Sequence, residues 1–340
     1  MQKTSLSLLL GLIILVVLLM INISLGSVSI PLKDIFASFF NTEIDKETWR
    51  YIILNYRLPK AITAVLVGSG LALSGLLMQT LFRNPLAGPY VLGLSSGASL
   101  GVAIVILGGA VFGRFFSALI LSKWTLVIAA SLGSILVLLA VLATSFRVKD
   151  TMALLIIGLM FASLTSAVVS MLSYFSSSES LQKYIFWSFG SLGNLSWQEV
   201  FILTVFWSLG VIISIFCIKN LNALLLGETY AKSLGTNLKQ NRILVILATG
   251  LLAGSITAFA GPIAFIGLAV PHLVRQVISK SDHLVLFPAV AIGGAILMLI
   301  CDSIAQLPGS NLTLPINSIT SLIGAPVVIW LLLRKKKLYF

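Results

Sequence analysis

Nine long uncharged runs divide this sequence and constrain its fold more than any other feature. They occupy residues 4–32, 61–82, 84–113, 124–146, 151–178, 200–218, 243–274, 284–301 and 303–333. A helix needs roughly 20 apolar residues to cross a bilayer, so eight of these runs hold one span each. Only 9% of the residues are charged, against about 25% in a soluble chain. This composition excludes a water-soluble enzyme or DNA-binding domain.

The run 243–274 is long for one helix and short for two. Its flanking positive charges are Arg242 on one side and Arg275 on the other. Because Lys and Arg concentrate in cytoplasmic loops, both flanks belong inside and the run must cross an even number of times. Gly261-Pro262 supplies the break. We therefore predict two short helices, about 243–260 and 263–278, and ten spans in total.

The same charge bias predicts the orientation. The formal net charge is +12, but the basic residues lie between apolar runs, where they set membrane topology and do not indicate nucleic-acid binding. We predict that both termini, with Lys3 and the tail Arg334–Lys337, are cytoplasmic. Residues 33–60 are expected to form a long loop, of which 33–56 lie outside, and 220–240 lie inside. A signal peptide has an apolar core of about 7–15 residues, so we expect the longer first run to be retained as a span.

The sequence offers no pattern for catalysis or metal binding. Cys217 and Cys301 are far apart in apolar runs, and two histidines, His272 and His283, are too few for a His-rich site. No P-loop pattern occurs, so the chain does not hydrolyse nucleotide through that motif. We expect no metal, no cofactor and no enzyme activity of its own.

Few polar residues interrupt the spans. The main ones are Gln79, Asn84, Asp302, Gln306 and Asn317. Such groups are expected to face protein or a water-filled cavity. No series of Asp, Glu and His is present to relay protons, and no acidic or TVGYG-like filter occurs. A secondary carrier or channel for a small solute is therefore the weaker alternative.

Two further patterns predict local structure. Gly93, Gly97 and Gly101 form a double GxxxG in the third span, and Gly250 and Gly254 form another in the seventh, so we expect close helix packing there. The longest inner loop, 219–242, contains a stretch over 224–235 that predicts a short amphipathic helix at the membrane face. A helix in this position is suited to docking a partner.

Five motifs stand in order along nearly the whole chain. They are Arg57-Leu-Pro-Lys60, the stretch Gly68–Ala98 with Phe-Arg-Asn-Pro-Leu-Ala at its centre, Leu226-Gly-Glu-x-x-Ala-x-x-Leu-Gly235, Gly261-Pro-Ile-x-Phe-x-Gly-Leu-x-x-Pro-His272 and Leu322-Ile-Gly-Ala-Pro326. Together they resemble the FecCD permease family. Members of this family are membrane subunits of type II ABC importers for iron–siderophores, haem and cobalamin.

The resemblance implies an all-α polytopic membrane protein with the type II ABC importer permease fold, as one permease domain over residues 1–340. It implies a permease dimer, expected to be a homodimer, with two ATP-binding cassette ATPase subunits and a periplasmic or lipoprotein substrate-binding protein. The ATPase partner, and not this chain, would hydrolyse ATP. The expected location is the bacterial cytoplasmic (inner) membrane, and the expected substrate is an iron chelate (siderophore or haem) or cobalamin.

The resemblance also implies site residues. The helix that docks on the ATPase corresponds to Leu226, Gly227, Glu228, Ala231, Leu234 and Gly235. The cytoplasmic gate corresponds to the inner turn at Asn84 and Leu86 and to the start of span five at Thr151 and Met152. Alternatives remain open at this stage, since Glu228 would also suit a plain helix surface and the four gate residues would also suit helix caps.

The remaining implied site is a docking point for the binding protein at Arg57 and Lys60. Interfacial anchoring of the helix is the alternative for these two residues. The family has a third basic position after the Asp of span nine, and Gln306 stands there in this sequence, so one docking pair is not expected.

Overall fold

The computed structural model describes residues 2–26, 28, 30–40, 44–108, 123–148, 150–193, 195–278, 280–307 and 312–333. Across these residues all regular secondary structure is helical, which confirms the all-α fold class. The predicted basic tail Arg334–Lys337 and the side chains of Lys3 and Thr151 lie outside the described residues.

Fifteen α-helices are described. They are α1 (Gln2–Ser24), α2 (Leu32–Phe40), α3 (Glu47–Ile52), α4 (Leu58–Phe82), α5 (Leu94–Leu107), α6 (Lys123–Arg147), α7 (Thr151–Phe175), α8 (Ser178–Ser188), α9 (Trp197–Leu225), α10 (Glu228–Ser233), α11 (Leu238–Thr249), α12 (Ser255–Ala260), α13 (Ile266–Val277), α14 (His283–Ala305) and α15 (Ile316–Leu333). A 3-10 turn (Pro89–Leu92) precedes α5, and π-helical turns join α3 to α4 (Ile53–Arg57) and α11 to α12 (Gly250–Gly254).

The chain divides into two compact units. Unit 1 contains Met1–Leu73, Ser191–Val205 and Ile263–Lys336, and unit 2 contains Ser74–Gly190, Phe206–Pro262 and Lys337–Phe340. The division falls inside α4 and α9. The single permease domain over 1–340 stays a prediction.

The described helices occupy the ten predicted span positions. Within the described ranges, seven stretches are long and apolar enough to cross a membrane: Ser5–Ser24, Glu47–Phe82, Lys123–Arg147, Met152–Phe175, Trp197–Leu225, Leu238–Ala260 and His283–Ala305. Two shorter apolar helices, Leu94–Leu107 and Ile316–Trp330, take the third and tenth positions. The eighth position is α13, whose 12 residues rise about 18 Å at 1.5 Å per residue. That is less than the roughly 30 Å of a hydrocarbon core.

The predicted break at Gly261-Pro262 is confirmed. Residues 261–264 are not helical, and α12 ends directly before them. Gly261 has φ +76° and Phe265 has φ +67°, a region that L-residues rarely adopt. In unit 1, the Ala264 N–H donates to Asn317 Oδ1 at 3.0 Å, which satisfies a backbone donor that the break leaves outside a helix.

The expectation of a loop over 33–60 is wrong. Helices α2 and α3 lie in this region, and α3 continues through the π-helical turn into α4 as one helical stretch, Glu47–Phe82. Arg57 and Lys60 therefore lie within a helix and not at its start. Charge marks where a chain leaves the hydrocarbon, whereas a helix ends only where its backbone bonds end. The apolar run at 61–82 therefore underestimated the length of this helix.

Small residues bring helices together in each unit. In unit 1, a side chain at Gly68 of α4 would overlap the backbone of Gly294 in α14. In unit 2, Gly97 of α5 meets the backbone of Gly133 in α6, and Gly101 meets Ala129 one turn away. The predicted packing role of Gly97 and Gly101 is confirmed.

Gly93 also packs closely, since an added Cβ would lie 3.1 Å from the Gly158 carbonyl oxygen, but it is not part of the helix as predicted. It lies before α5 with φ +75°, a left-handed conformation that favours glycine. This residue therefore turns the chain from the 3-10 segment into the helix. Gly250 and Gly254 belong to the π-helical turn of unit 2, where Leu138 of α6 fills the space beside Gly250.

Candidate functional site

The segment 226–235 is an exposed turn and short helix in unit 2. Helix α9 ends at Leu225, and Gly227 follows with φ +106°. Because this backbone conformation is costly for any residue with a side chain, the helix stops there and restarts as α10. The predicted helix over 224–235 is therefore shorter than expected and comprises only Glu228–Ser233. Gly235, with φ +82°, ends the segment.

Large apolar side chains of this segment are exposed. Leu226 is 65% exposed, Tyr230 50% and Leu234 59%, whereas Ala231 is fully buried and fixes the helix to the rest of the unit. Clustered exposed apolar groups on a loop are typical of a protein interaction surface. The segment is therefore held in place on one side and uncovered on the other.

A concavity of about 610 Å³ adjoins this surface. Its lining consists of Arg83, Leu226, Gly227, Glu228, Thr229, Tyr230 and Ser233. Arg83 comes directly after α4 with φ +47°, and it is followed at once by the predicted gate turn. Sequence reasoning did not assign Arg83 a role, although it stands inside the Phe-Arg-Asn-Pro motif. The structure thus brings the end of α4 and the 226–235 segment to one surface.

The predicted gate turn, residues 84–87, is built by Asn84 itself. Its Oδ1 accepts the N–H of Leu86 at 2.9 Å, which closes the local turn that Asn favours. The Asn84 carbonyl accepts the N–H of Ala87 at 3.1 Å. Leu86 is 44% exposed at the tip. Asn84 therefore shapes the turn, and Leu86 is the side chain that projects from it.

The other predicted gate residues begin α7, as expected. Asp150 caps this helix, and its Oδ1 accepts the N–H of Met152 at 2.9 Å. Met152 is 52% exposed. Arg242 of α11 donates to the carbonyl of Val148 at 2.8 Å, which holds the chain just before the cap. Asp150 and Arg242 are positioning residues that sequence reasoning missed.

Unit 2 links the gate turn to α7 through the segment that follows the turn. Gly158 of α7 packs directly against the backbone at Val91 and Leu92, and its carbonyl faces Gly93. A side chain at Gly158 would overlap that backbone. The segment that follows the turn is therefore in contact with α7, one to two helical turns from Met152.

A second candidate region lies in unit 1 and is called the basic corner here, after Arg57, Lys60 and Asp302. Arg57 Nη1 donates to the carbonyls of Ile23 and Ser24 at 2.7 and 2.8 Å, and Nη2 donates to the carbonyl of Val28. Ile23 and Ser24 are the last residues of α1. A cation at this position satisfies terminal carbonyls and complements the negative end of the helix dipole.

Lys60 makes a buried ion pair. Its Nζ lies 3.0 Å from Asp302 Oδ1, and the Asp302 side chain is only 3% exposed. The other carboxylate oxygen, Oδ2, accepts from Asn22 Nδ2 at 2.9 Å and from Gln306 Nε2 at 2.8 Å. Asn22 also donates to Ser303 Oγ at 3.0 Å. The sequence had identified Asp302 and Gln306 as polar residues in a span, but it gave no partner for either.

The family assignment follows from comparison with known proteins. The sequence model of the FecCD transport family matches residues 14–334. The chain belongs to the FecCD transport family. The predicted family resemblance is therefore confirmed, and with it the description of the chain as an ABC transporter permease with transmembrane helices.

Two curated relatives of this family member illustrate the similarity. The hemin transport system permease protein HmuU of Yersinia pestis is 36% identical over 327 residues, covering 96% of this chain and 95% of the relative. The vitamin B12 import system permease protein BtuC of Salmonella typhi is 40% identical over 283 residues, covering 83% of each chain.

A solved structure agrees with the sequence comparisons. It is described as an inward-facing conformation of a metal-chelate type ABC transporter, and it superposes with a TM-score of 0.83 at 32% identity. The alignment covers 96% of this chain and 98% of the other. The predicted permease fold is therefore confirmed along nearly the whole chain.

Proposed function

We propose that this chain is the membrane-spanning permease subunit of an ATP-driven type II importer for an iron chelate (siderophore or haem) or cobalamin. Relatives that carry hemin and vitamin B12 support this substrate class. The observation that carries the proposal is the exposed apolar segment 226–235, which shares one concavity with the residue that precedes the gate turn.

The energy source in this proposal is a separate ATPase. The 226–235 segment docks into a cleft of that subunit, with Leu226, Tyr230 and Leu234, each at least half exposed, as its apolar contacts. Glu228 begins the short helix, and Gly235 ends the segment. Docking would bury the apolar surface that the permease alone leaves in water, a gain of about 25 cal/mol for each Å².

Movement of the docked segment reaches the gate through Arg83. Arg83 lines the same concavity as Glu228 and directly precedes Asn84. A shift of the segment therefore changes the environment of the gate turn, and the packing of Gly158 on Val91 carries the shift to α7, which begins at Thr151 and Met152. Alternating access would follow from opposite positions of these two gate elements.

The proposed assembly contains two copies of the permease, two ATPases and a substrate-binding protein. It lies in the bacterial inner membrane with both termini cytoplasmic, which places the 226–235 segment inside and the basic corner outside. The basic corner then faces the binding protein, where its positive charge steers an acidic partner surface.

Retention of the ATPase tests the docking step. Permease carrying Leu226→Ala and Tyr230→Ala should lose most of the ATPase on co-purification, because two large apolar contacts are removed. The matched control is Phe216→Ala in α9, which is 73% exposed but lies in the spanning part of the helix. Equal ATPase retention by the double variant and the control would contradict the docking proposal.

Substrate class is tested by uptake into proteoliposomes that contain the permease, its ATPase and its binding protein. Haem, a ferric siderophore and cobalamin should be compared at equal concentration. Saturable uptake of one of the three is expected. Uptake of none of them, with an intact complex, would contradict the proposed substrate class.

A further inference from the structure

Asp302 is the centre of the basic corner, and both of its carboxylate oxygens have partners. One oxygen faces Lys60, and the other accepts from Asn22 and Gln306. Residues of α1, α4 and α14 thus meet on a single buried carboxylate. A buried carboxylate is stable only when it is paired and hydrogen-bonded, so this cluster depends on each of its donors.

The charges in this corner do not contribute equally to an approaching partner. Lys60 and Asp302 lie 3.0 Å apart, and their opposite charges cancel at longer range. The acceptors described for Arg57 are backbone carbonyls, which carry no full negative charge. Gln306, at the family's third basic position, is neutral and donates to Asp302. The net positive charge of the corner is therefore that of Arg57.

The position of Lys60 also limits its access to a partner. Its side chain is 22% exposed. A side chain added at Gly193 would lie 3.7 Å from both Cδ and Cε of Lys60, so the chain at Gly193 runs beside the lysine stem. An acidic residue of a partner would have to compete with Asp302, which is already in contact and needs no desolvation on docking.

A carboxylate in the last turn of a helix is disfavoured by the helix dipole. Asp302 occupies such a position in α14, which ends at Ala305. Asn22 and Gln306 supply hydrogen bonds but no charge, so only Lys60 in the described cluster offsets the buried negative charge. Lys60 therefore stabilises unit 1 whether or not a partner is bound.

We propose that the two basic residues of the corner have separate tasks. Lys60 is a positioning residue that locks α4 to α1 and α14 through Asp302, and Arg57 supplies the net charge that an acidic binding protein meets. The Arg57 half rests on the proposed function, whereas the lock is a property of the permease alone. The salt dependence of docking should then reflect one charge pair per subunit.

The lock is tested on purified permease in detergent. Lys60→Met should lower the midpoint of thermal unfolding by at least about 5 °C, because it leaves Asp302 buried and uncompensated. Adding Asp302→Asn to the same chain should restore most of the loss, since the amide that replaces the carboxylate bears no charge. A stable Lys60→Met variant, or a double variant no better than the single one, would overturn the lock.

The division of tasks is tested by the association rate of the purified binding protein with the assembled importer in nanodiscs. Arg57→Gln should slow association about tenfold at 0.01 M salt and flatten its salt dependence. The double variant Lys60→Met/Asp302→Asn keeps the net charge of the corner and should associate like the wild type. Asp302→Asn alone uncovers Lys60 and should associate faster.

Two results would overturn the assignment of charge to Arg57. One is a double variant as slow as Arg57→Gln, which would mean that the charge of Lys60 itself docks the partner. The other is an Arg57→Gln variant with wild-type association. If the wild-type permease captures no binding protein at all, the proposed function fails, and the thermal unfolding experiment still decides the lock.

Discussion

The basic corner and the 226–235 segment differ in what surrounds their side chains. In the corner, Asp302 is almost completely buried and accepts from three side chains, and Arg57 meets three carbonyls. In the segment, Leu226 and Leu234 are 65% and 59% exposed. The polar groups of the basic corner have their partners within the same chain. The 226–235 segment leaves apolar surface that only another protein or a membrane would cover.

Because of this difference, the two regions should contribute to an assembly in different ways. A site that is internally satisfied contributes to a partner mainly through the field of its net charge, which acts on association rate. A site with uncovered apolar anchors contributes through burial, which acts on affinity. We therefore expect mutations in the corner to change stability or association rate, and mutations in the segment to change ATPase retention.

Apart from changes to the Lys60–Asp302 ion pair itself, the largest expected effect comes from Asn22→Leu in the corner. This change removes a donor to the buried Asp302 carboxylate and to Ser303. Loss of a hydrogen bond to a charged group costs about 1.5–3 kcal/mol, and the stability of the permease should fall by that amount. Chemical denaturation in detergent measures it. The matched change Asn237→Leu, at the cap of α11, should cost about 1 kcal/mol.

The next largest effect is expected in the 226–235 segment, where a substitution should change binding of the ATPase without changing stability. Tyr230→Ala should leave the unfolding midpoint unchanged, since half of the side chain is exposed. ATPase affinity should fall by up to about 2 kcal/mol, which is typical of a buried aromatic anchor at an interface. Titration of the ATPase onto permease in nanodiscs gives this value. A destabilised permease with normal ATPase affinity would reverse the contrast.

A smaller effect is expected at Arg83, where the segment meets the gate turn. Arg83→Ala should keep ATPase binding within about 1 kcal/mol, because rim residues of an interface contribute little. Transport per ATP hydrolysed should fall several-fold, since Arg83 links the concavity to Asn84 in our proposal. Lys232→Ala, which changes an exposed basic residue of α10 outside the concavity, is the control. Equal coupling in both variants would remove Arg83 from the pathway.

The smallest effect is expected at the exposed pair Glu179–Lys183 of α8. Their side chains lie 2.8 Å apart, and the hydrogen bond from Lys183 lowers the pKa of Glu179. Because the folded pKa is depressed, any stabilisation is present above the unfolded pKa of about 4.3 and is lost as the pH falls through the folded pKa. Exposed pairs are strongly screened, so Glu179→Gln should not measurably change stability at pH 7. A clear loss of stability at pH 7 would contradict this expectation and show that Glu179 has a buried role.

Hydropathy and charge were sufficient to predict most of the helical architecture. The positions of the spans follow from apolar runs, and the break at Gly261-Pro262 follows from two residues that do not continue a helix. Helices α2 and α3 could not be predicted this way, since helices of 9 and 6 residues need no long apolar run. The interruption between α9 and α10 depends on the backbone of Gly227, and the helix-forming residues around this glycine gave no sign of it.

The candidate sites were only partly predictable. Motif order pointed to Leu226–Gly235 and Asn84–Leu86, but it gave no indication that Arg83 lies beside Glu228. Local sequence patterns could not predict the Asp302 cluster, because Asn22 and Asp302 are 280 positions apart. A buried acid in a span indicates that a partner exists, and only the fold identifies which cation it is.

The most direct test of the central claim is the energy source for uptake into proteoliposomes. Vesicles should contain permease, ATPase and loaded binding protein, with ATP or an ion gradient supplied separately. We expect substrate to accumulate with ATP and not with a proton or sodium gradient alone. Leu226→Ala/Tyr230→Ala should abolish the ATP-driven component. Accumulation driven by an ion gradient without ATPase would show a secondary carrier and contradict the account.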